Sequence, residues 1–469
     1  MKKLLDFFTP KHTSVNTNVR TELLAGVTSF FASVFTILSV PGMVSGGDVQ
    51  VSNAVFVAAV ISAIIGCLFM AFIAKMPLVV YPAIGTTSYF AFTALPMIVV
   101  LSGDENLSRL MQYQIGLFLF LISGIVFSVL SVTGLTDRIL KGIPKNIKIV
   151  SVPAIGLFIT LLGLRLSGLV VGSPSTFVAF INIRNFSENP QAVLSAIISF
   201  VGLLLIGILY YFKVKAAFVI TIVATTIVAY ITGAYRLPDD FAFSLQAQFS
   251  DWVNVGLFQF NTTDIWTFAS IGTVIGVVLS IVLALVLTNA LDAIATTFGI
   301  VKGVGLIKDD TDVEGRKYVN KGVIADALSS VVGAVLGGAP NTTVVSGSAG
   351  VSVGGRTGLT SFVVAILTAV LLIAGPFVRL IPNLAIAPAL IFVGCLMLKG
   401  LKDLDFEDMS EYFPAFLALI FVVFTFNIGT GLCIALIAHI FIKLFTGKFR
   451  EISIVSVVIA ILFLLQFIL

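Results

Sequence analysis

The chain is 469 residues long, 58% hydrophobic and only 11% charged, with a mean hydropathy of +1.12. These values exclude the soluble globular class. The net charge of +4 comes from basic residues in short loops between apolar runs, a pattern of membrane topology and not of a nucleic-acid partner.

In chain order, residues 1–21 form a tail. It begins Met1-Lys2-Lys3-Leu4-Leu5 and lacks the long apolar core and small-residue cleavage site of a signal peptide, so it reads as cytoplasmic. At about 20 residues per crossing there is room for a dozen or more spans. Apolar runs predict them near 22–43, 52–74, 78–100, 113–134, 149–171, 192–212 and 216–235. A connection at 237–267 leads to further spans near 268–299, 322–337, 357–379, 383–400, 413–428 and 429–447, and 339–353 is a short polar element between them. The sequence thus divides into a first repeat at 22–236, a second at 268–447, and an apolar segment at 448–469 whose placement stays open.

Basic residues cluster at Lys2/Lys3/Lys11/Arg20, Lys75, Arg138/Lys141/Lys145/Lys148, Lys213/Lys215, Lys302/Lys308/Arg316/Lys317/Lys321, Lys399/Lys402 and Lys443/Lys448/Arg450. From a cytoplasmic N-terminus these fall in alternate loops, as the positive-inside rule requires, provided that 339–353 counts as one crossing.

Two stretches break the apolar pattern. Tyr81-Pro82-Ala83-Ile84-Gly85-Thr86-Thr87-Ser88-Tyr89 lies in the third element, and Gly333–Thr360, rich in Gly, Ser and Thr and interrupted by Pro340, contains the third element counted from Phe268. Lipid does not tolerate unpaired backbone, so such breaks belong where protein buries them or where they line a cavity. An odd number of crossings separates the two, which makes the halves oppositely oriented, the plan of many coupled transporters. Gly85, Thr86, Thr87, Asn341, Thr342, Thr343 and Ser346 are the candidate contacts, through backbone N–H groups at half-helix N-termini and through hydroxyls. The competing reading is that small and hydroxylated residues merely allow close helix packing. Tyr89, Phe90 and Phe92 offer rings for a planar ligand, although among 41 Phe residues each also fits plain packing.

Asp292 sits deep in the apolar run IGVVLSIVLALVLTNALDAIATTFG, with Thr288, Asn289 and Thr296 at helical spacing on the same face. An intramembrane carboxylate is expensive and points to function. It could accept hydrogen bonds from a substrate, carry a coupling proton or do both; the alternative is a structural pairing. Asp326, at the start of Ala325-Asp326-Ala327-Leu328-Ser329-Ser330, divides evenly between a structural and a gating role. Cys67, Cys395 and Cys433 lie in apolar segments without metal spacing and are expected to be buried. His12 and His439 are far apart, and no metal or cofactor is expected. No GxSxG, HExxH or P-loop lysine pattern occurs, which leaves an enzyme reading without support.

These motifs resemble the nucleobase–cation symporter 2 superfamily and, within it, the AzgA-like adenine/guanine/hypoxanthine permeases. The likeness covers nearly the whole chain. It rests on Pro82-Ala83-Ile84-Gly85-Thr86-Thr87-Ser88-Tyr89-Phe90-Ala91-Phe92-Thr93, on Leu291-Asp292-Ala293-Ile294-Ala295-Thr296-Thr297-Phe298-Gly299, and on the block from Ala325-Asp326-Ala327-Leu328 to Gly355-Arg356-Thr357-Gly358-Leu359-Thr360. The resemblance implies an all-α polytopic membrane protein of two inverted seven-helix repeats, split into core and gate domains, with broken third and tenth elements. It also implies purine base uptake coupled to protons in the cell membrane, homodimers, and Asp292 as the acid that contacts the base. Three places depart from the family pattern, one of them the eighth segment, where an FDTxGT-like run has thinned to Leu291-Asp292-Ala293-Ile294-Ala295-Thr296-Thr297. Ser346 stands where the family carries a Glu, and Thr87 where it carries an Asn. A Ser offers one rotatable hydroxyl where a carboxylate accepts two hydrogen bonds. The expectation is therefore a permease with alternating access to a small planar heterocycle. The other readings are an anion carrier of the sulfate-permease type on the same fold, or a passive channel.

Overall fold

The computed structural model describes all residues except 1, 11–16, 174–176, 188, 237–243, 304–305, 307–312, 379, 426 and 469. Lys11, His12, Lys308 and part of the predicted connection at 237–267 lie outside the described residues.

The long apolar runs fold as helices because a helix satisfies its own backbone in hydrocarbon. After a short α1 (Lys2–Phe8), the first crossing is built from α2 (Val19–Ser33) and α3 (Phe35–Val44). Asn18 starts it by accepting from the Thr21 N–H, and Asp48 caps α4 (Val49–Phe69) in the same way. The third crossing opens with strand β1 (Val80–Pro82) and continues as α5 (Ile84–Tyr89) and α6 (Leu95–Ser102). A π-helical turn joins the two into one helical stretch of 19 residues. Then come α7 (Arg109–Val132), the short α8 (Leu135–Gly142), α9 (Lys145–Leu166), a hairpin of β2 (Val170–Ser173) and β3 (Phe177–Phe180), α10 (Pro190–Tyr211) and α11 (Ala217–Ile231).

The second half begins with a short α12 (Leu245–Asp251), α13 (Ile271–Gly303) and α14 (Val313–Val335). Its broken element is strand β4 (Asn341–Thr343), a 3-10 turn at Val345–Gly347 and α15 (Ser348–Ser352). It closes with α16 (Gly358–Val378), α17 (Asn383–Met397), α18 (Met409–Thr425), α19 (Ile428–Phe445) and α20 (Ile454–Ile468). Among the described residues ten stretches are long and apolar enough to cross a membrane, and α11, α18 and α20 supply shorter apolar helices. The short helices α1, α8 and α12 and the β2–β3 hairpin were not read from the sequence, because hydropathy is silent on short elements.

The helices sort into two bundles. In the core, α7 packs on α13 and α14, and α4 on α14 and α16, with α2 along α16. In the gate, α9 packs on α17 and α18, α10 on α11 and α17, and α18 on α19. Large apolar side chains such as Phe200, Ile227, Ile373 and Phe424 remain exposed on outer faces, as a hydrocarbon surround permits. Cys67 and Cys433 are buried as expected, but Cys395 is exposed, since it lies on the free side of α17.

Within the segment at 448–469, α20 (Ile454–Ile468) packs on α13 and α19 and touches α8. Its entry is fixed by the buried Lys443, which reaches Glu411 at 2.9 Å and Glu451 at 2.5 Å. Lys448 binds Asp408 at 3.0 Å, and hydrogen bonds from Ser410 and Lys448 hold the Asp408 carboxyl well below the usual carboxylate range.

A polar seam joins α2 to the second broken element. Ser29 donates to the Gly347 carbonyl (2.7 Å) and accepts from the Gly350 N–H (3.2 Å). The fully buried Glu22 accepts from the N–H groups of Arg356 (2.9 Å) and Thr357 (3.3 Å) and from the Thr360 hydroxyl (2.6 Å), which caps the start of α16. A Cβ at Gly350 would lie 2.2 Å from both the Ala25 carbonyl oxygen and Ser29 Oγ. Gly350→Ala is therefore expected to destabilise the core by about 1–3 kcal/mol, read as a several-degree drop in the thermal midpoint of purified protein.

Candidate functional site

Proline shapes both breaks: it donates no backbone hydrogen bond and holds the preceding residue extended. The freed backbone groups are satisfied by each other. β1 and β4 pair antiparallel, with Val80 opposite Thr343, Tyr81 opposite Thr342 and Pro82 opposite Asn341. Backbone bonds from Ala83 N–H to the Pro340 carbonyl (2.9 Å) and from Val344 N–H to the Val79 carbonyl (3.0 Å) extend the pair. Antiparallel pairing of the two third elements is what inverted repeats require. Beyond the crossing, the helix from Ile84 and the turn from Val345 begin within a few residues of the paired strands. Two helix starts therefore lie beside the strand pair, and the partial positive charge of a helix N-terminus suits an acceptor-rich ligand.

Gly85 is half-buried at the first of these ends, where an added Cβ would meet Ile155 of the gate helix α9 at 2.6 Å. The core and gate touch here. Thr86 and Thr87 are fully buried, and among the described residues their hydroxyls have no hydrogen-bond partner. The same holds for the Tyr89 hydroxyl. Phe90 is fully buried against Phe120, with centroids 6.2 Å apart, so its ring belongs to the core and not to a ligand. Phe92 stays half-buried.

Asp292 is half-buried on α13 and accepts from Thr296 Oγ1 at 3.2 Å, one turn on. Thr288 and Asn289 are buried, with Thr288 Oγ1 and Asn289 Oδ1 unpartnered among the described residues. Asp326 lies deeper than its neighbourhood in the sequence suggests. It is fully buried, and its Oδ2 accepts from the Thr343 N–H at 2.6 Å and from Thr342 Oγ1 at 3.0 Å. Its other oxygen has no partner among the described residues. The helix that bears Asp292, α13, packs on β4, the strand that Asp326 holds. Around them, Ser330 Oγ donates to the Asn341 carbonyl (2.8 Å), and Asn341 Nδ2 donates to Ser329 Oγ (3.2 Å). Ser346 is half-buried and donates to Ser33 Oγ of α2 at 3.0 Å.

The structure thus places Gly85, Thr86 and Thr87 at one helix start and Ser346 at the other, with Asn341, Thr342 and Thr343 in the strand that Asp326 anchors. Sequence reading missed Ser33, Ser29 and Glu22. They lie on one face of α2 at spacings of seven and four residues, a signal visible as a polar stripe on an apolar helix. Val345, the first residue of the turn that follows β4, is 55% exposed. On the side away from the N-terminal tail, a cleft of about 520 Å³ separates α3 and α4 from α9, α10 and α17, lined by Ser45, Asp48, Arg165, Tyr235 and Asn383 among others.

Two opposed halves whose broken third elements pair with each other, with carboxylates beside the break, define a multi-pass membrane transporter of the core-and-gate type. The sequence profile of the xanthine/uracil Permease family matches residues 20–434, and the chain belongs to that family. It is 32% identical to the guanine/hypoxanthine permease PbuO of Bacillus subtilis over 96% of this chain and 97% of that protein. It is 29% identical to the adenine permease AdeQ of Escherichia coli, covering 99% of this chain and 95% of the relative. The fold is similar to the transmembrane domain of the cyanobacterial bicarbonate transporter BicA, with a TM-score of 0.63 at 16% identity over 89% of this chain and 97% of that one. It is also similar to murine Slc26a9 in the inward-facing state, with a TM-score of 0.59 at 14% identity over 92% of this chain and 70% of that one. The chain is a transporter and not an enzyme.

Proposed function

We propose that this permease imports a purine nucleobase such as guanine, hypoxanthine or adenine by proton symport with alternating access. The β1–β4 crossing carries the reading, since it brings the two broken elements together, and α13, which bears Asp292, packs on β4 and α5. In this scheme Gly85, Thr86, Thr87, Tyr89, Asn341, Thr342, Thr343 and Ser346 surround the base, and Asp292 accepts its N–H groups and carries the coupling proton. Asp326, Thr288, Asn289 and Thr296 hold or gate the site. Relatives named for guanine, hypoxanthine and adenine transport support the cargo. The same reading places the protein in the cytoplasmic membrane with a cytoplasmic N-terminus, in contact with the lipid bilayer, and as a homodimer.

The test is thermal-shift binding on purified protein with guanine, hypoxanthine, adenine, xanthine, urate, uracil, bicarbonate and sulfate. At least one purine is expected to raise the midpoint by several degrees, as a ligand at a hundred times its Kd adds about 2.7 kcal/mol. A shift by sulfate or bicarbonate with none by any base would move the protein to the anion-carrier class.

A further inference from the structure

One face of the stretch formed by α2 and α3 looks at the gate. Thr28, Ala32, Phe35, Leu38, Gly42 and Ser45 recur on it at spacings of three and four residues. Away from the N-terminal tail the seam between core and gate is open, since Leu38, Gly42 and Ser45 line the cleft of about 520 Å³. Toward the tail it is shut. The buried Phe35 stacks on Phe218 of the gate helix α11, with ring centroids 4.2 Å apart and ring planes 10° apart. Lys215, just before α11, donates from its ammonium to the buried Thr28 hydroxyl at 3.2 Å. Ala32, between these two closures, is itself buried.

The corner that presents both gate residues is firm. Lys213 takes a left-handed φ of 58°, and bonds from its N–H to the Tyr210 carbonyl (2.9 Å) and from the Val214 N–H to the Leu209 carbonyl (3.0 Å) close the end of α10. Both contacts also break at low cost. An aromatic pair contributes only about 0.5–1.5 kcal/mol beyond its buried area, and Lys215 is exposed, so its ammonium stays hydrated when it lets go of Thr28. We propose that Phe218 and Lys215 are the tail-side gate of this permease. They hold the seam shut while the far side is open, and they part from Phe35 and Thr28 in the other half of the cycle. This rests on the alternating-access reading above and not on the identity of the cargo.

The test uses the full-length chain with Cys395→Ser, which removes the exposed thiol, and Ala32→Cys as reporter. In membrane vesicles with the N-terminal tail outward, a membrane-impermeant maleimide reaches this thiol only when the tail-side seam opens. Phe218→Ala is expected to raise the labelling rate roughly tenfold, the scale of a lost aromatic pair. Lys215→Met should raise it about threefold or more, as for a hydrogen bond from a charged donor. Phe392→Ala is the control: its ring meets Phe218 edge-on, with centroids 6.0 Å apart, wholly within the gate. Labelling in this variant should stay within about twofold of the reporter alone. Unchanged labelling in Phe218→Ala, or a rise as large in Phe392→Ala, overturns the proposal. If Phe218→Ala is not recovered folded, Phe218→Leu, which keeps apolar bulk without a ring to stack, takes its place with the same outcomes. Labelling needs no cargo, so a chain with these rates that binds no purine loses the purine reading and keeps the gate. Fast labelling of the reporter alone from both sides at once would make the chain a channel and defeat alternating access and the gate together.

Discussion

Asp292→Asn is expected to yield folded protein that equilibrates its substrate across a membrane but no longer concentrates it. Asn keeps the volume and can still accept from Thr296, which donates at 3.2 Å in the wild type. It cannot take up or release a proton near neutral pH. In the proposed cycle the half-buried carboxylate faces the space that closes when core and gate come together. A charge enclosed there is expensive, and binding a proton removes that cost. Proteoliposomes with an imposed proton gradient provide the measurement. Wild-type protein should accumulate base above the external level, with uptake falling as external pH rises, because fewer carriers then bind a proton from outside. The variant should lose both the accumulation and the pH dependence while retaining exchange of labelled for unlabelled base. Accumulation with an unchanged pH profile would remove Asp292 from the coupling step.

Asp326→Ala should act through the scaffold and not through the proton. The carboxylate is the acceptor for the Thr343 N–H and the Thr342 hydroxyl, and it is completely enclosed. Its removal strands the buried Thr343 backbone donor at the end of β4, which costs about 1–3 kcal/mol. The loss falls on the strand that sets the second helix start against the first. Substrate affinity is therefore expected to drop by roughly tenfold or more, with a lowered thermal midpoint, on the arithmetic of about 1.4 kcal/mol per tenfold. Asp326→Asn retains one acceptor oxygen and should lose much less. Binding curves and thermal unfolding of the two variants check this. Equal, wild-type affinity in both would show that β4 keeps its place without the carboxylate.

The third and tenth elements show how far the sequence could be read. Pro82 and Pro340 within otherwise apolar segments mark interrupted spans, because proline removes a donor and lipid tolerates no orphaned backbone. The odd number of crossings between them predicted the inversion, and the antiparallel β1–β4 pair agrees with it. Asp292 stood out because a lone carboxylate in hydrocarbon needs a reason. Asp326 did not, since its partner, the Thr343 N–H, lies 17 residues on and enters only when the strand folds back. Phe90 looked like a stacking candidate by adjacency alone, and the contact with Phe120 that occupies it comes from another helix.

The sequence by itself determined the class of protein, most of the long apolar helices, the opposed halves and the residues at which the backbone breaks. All of these follow from local hydrophobicity and from the chemistry of proline, glycine and charge. Only the tertiary structure decided that the two breaks pair with each other, that α2 supplies Glu22, Ser29 and Ser33 to the second one, and that Ser346 donates to Ser33. The physical reason is that a buried hydrogen bond is defined by both partners. Here those partners lie as far as 313 residues apart, as for Ser33 and Ser346, a distance over which no local pattern in the chain records the pairing.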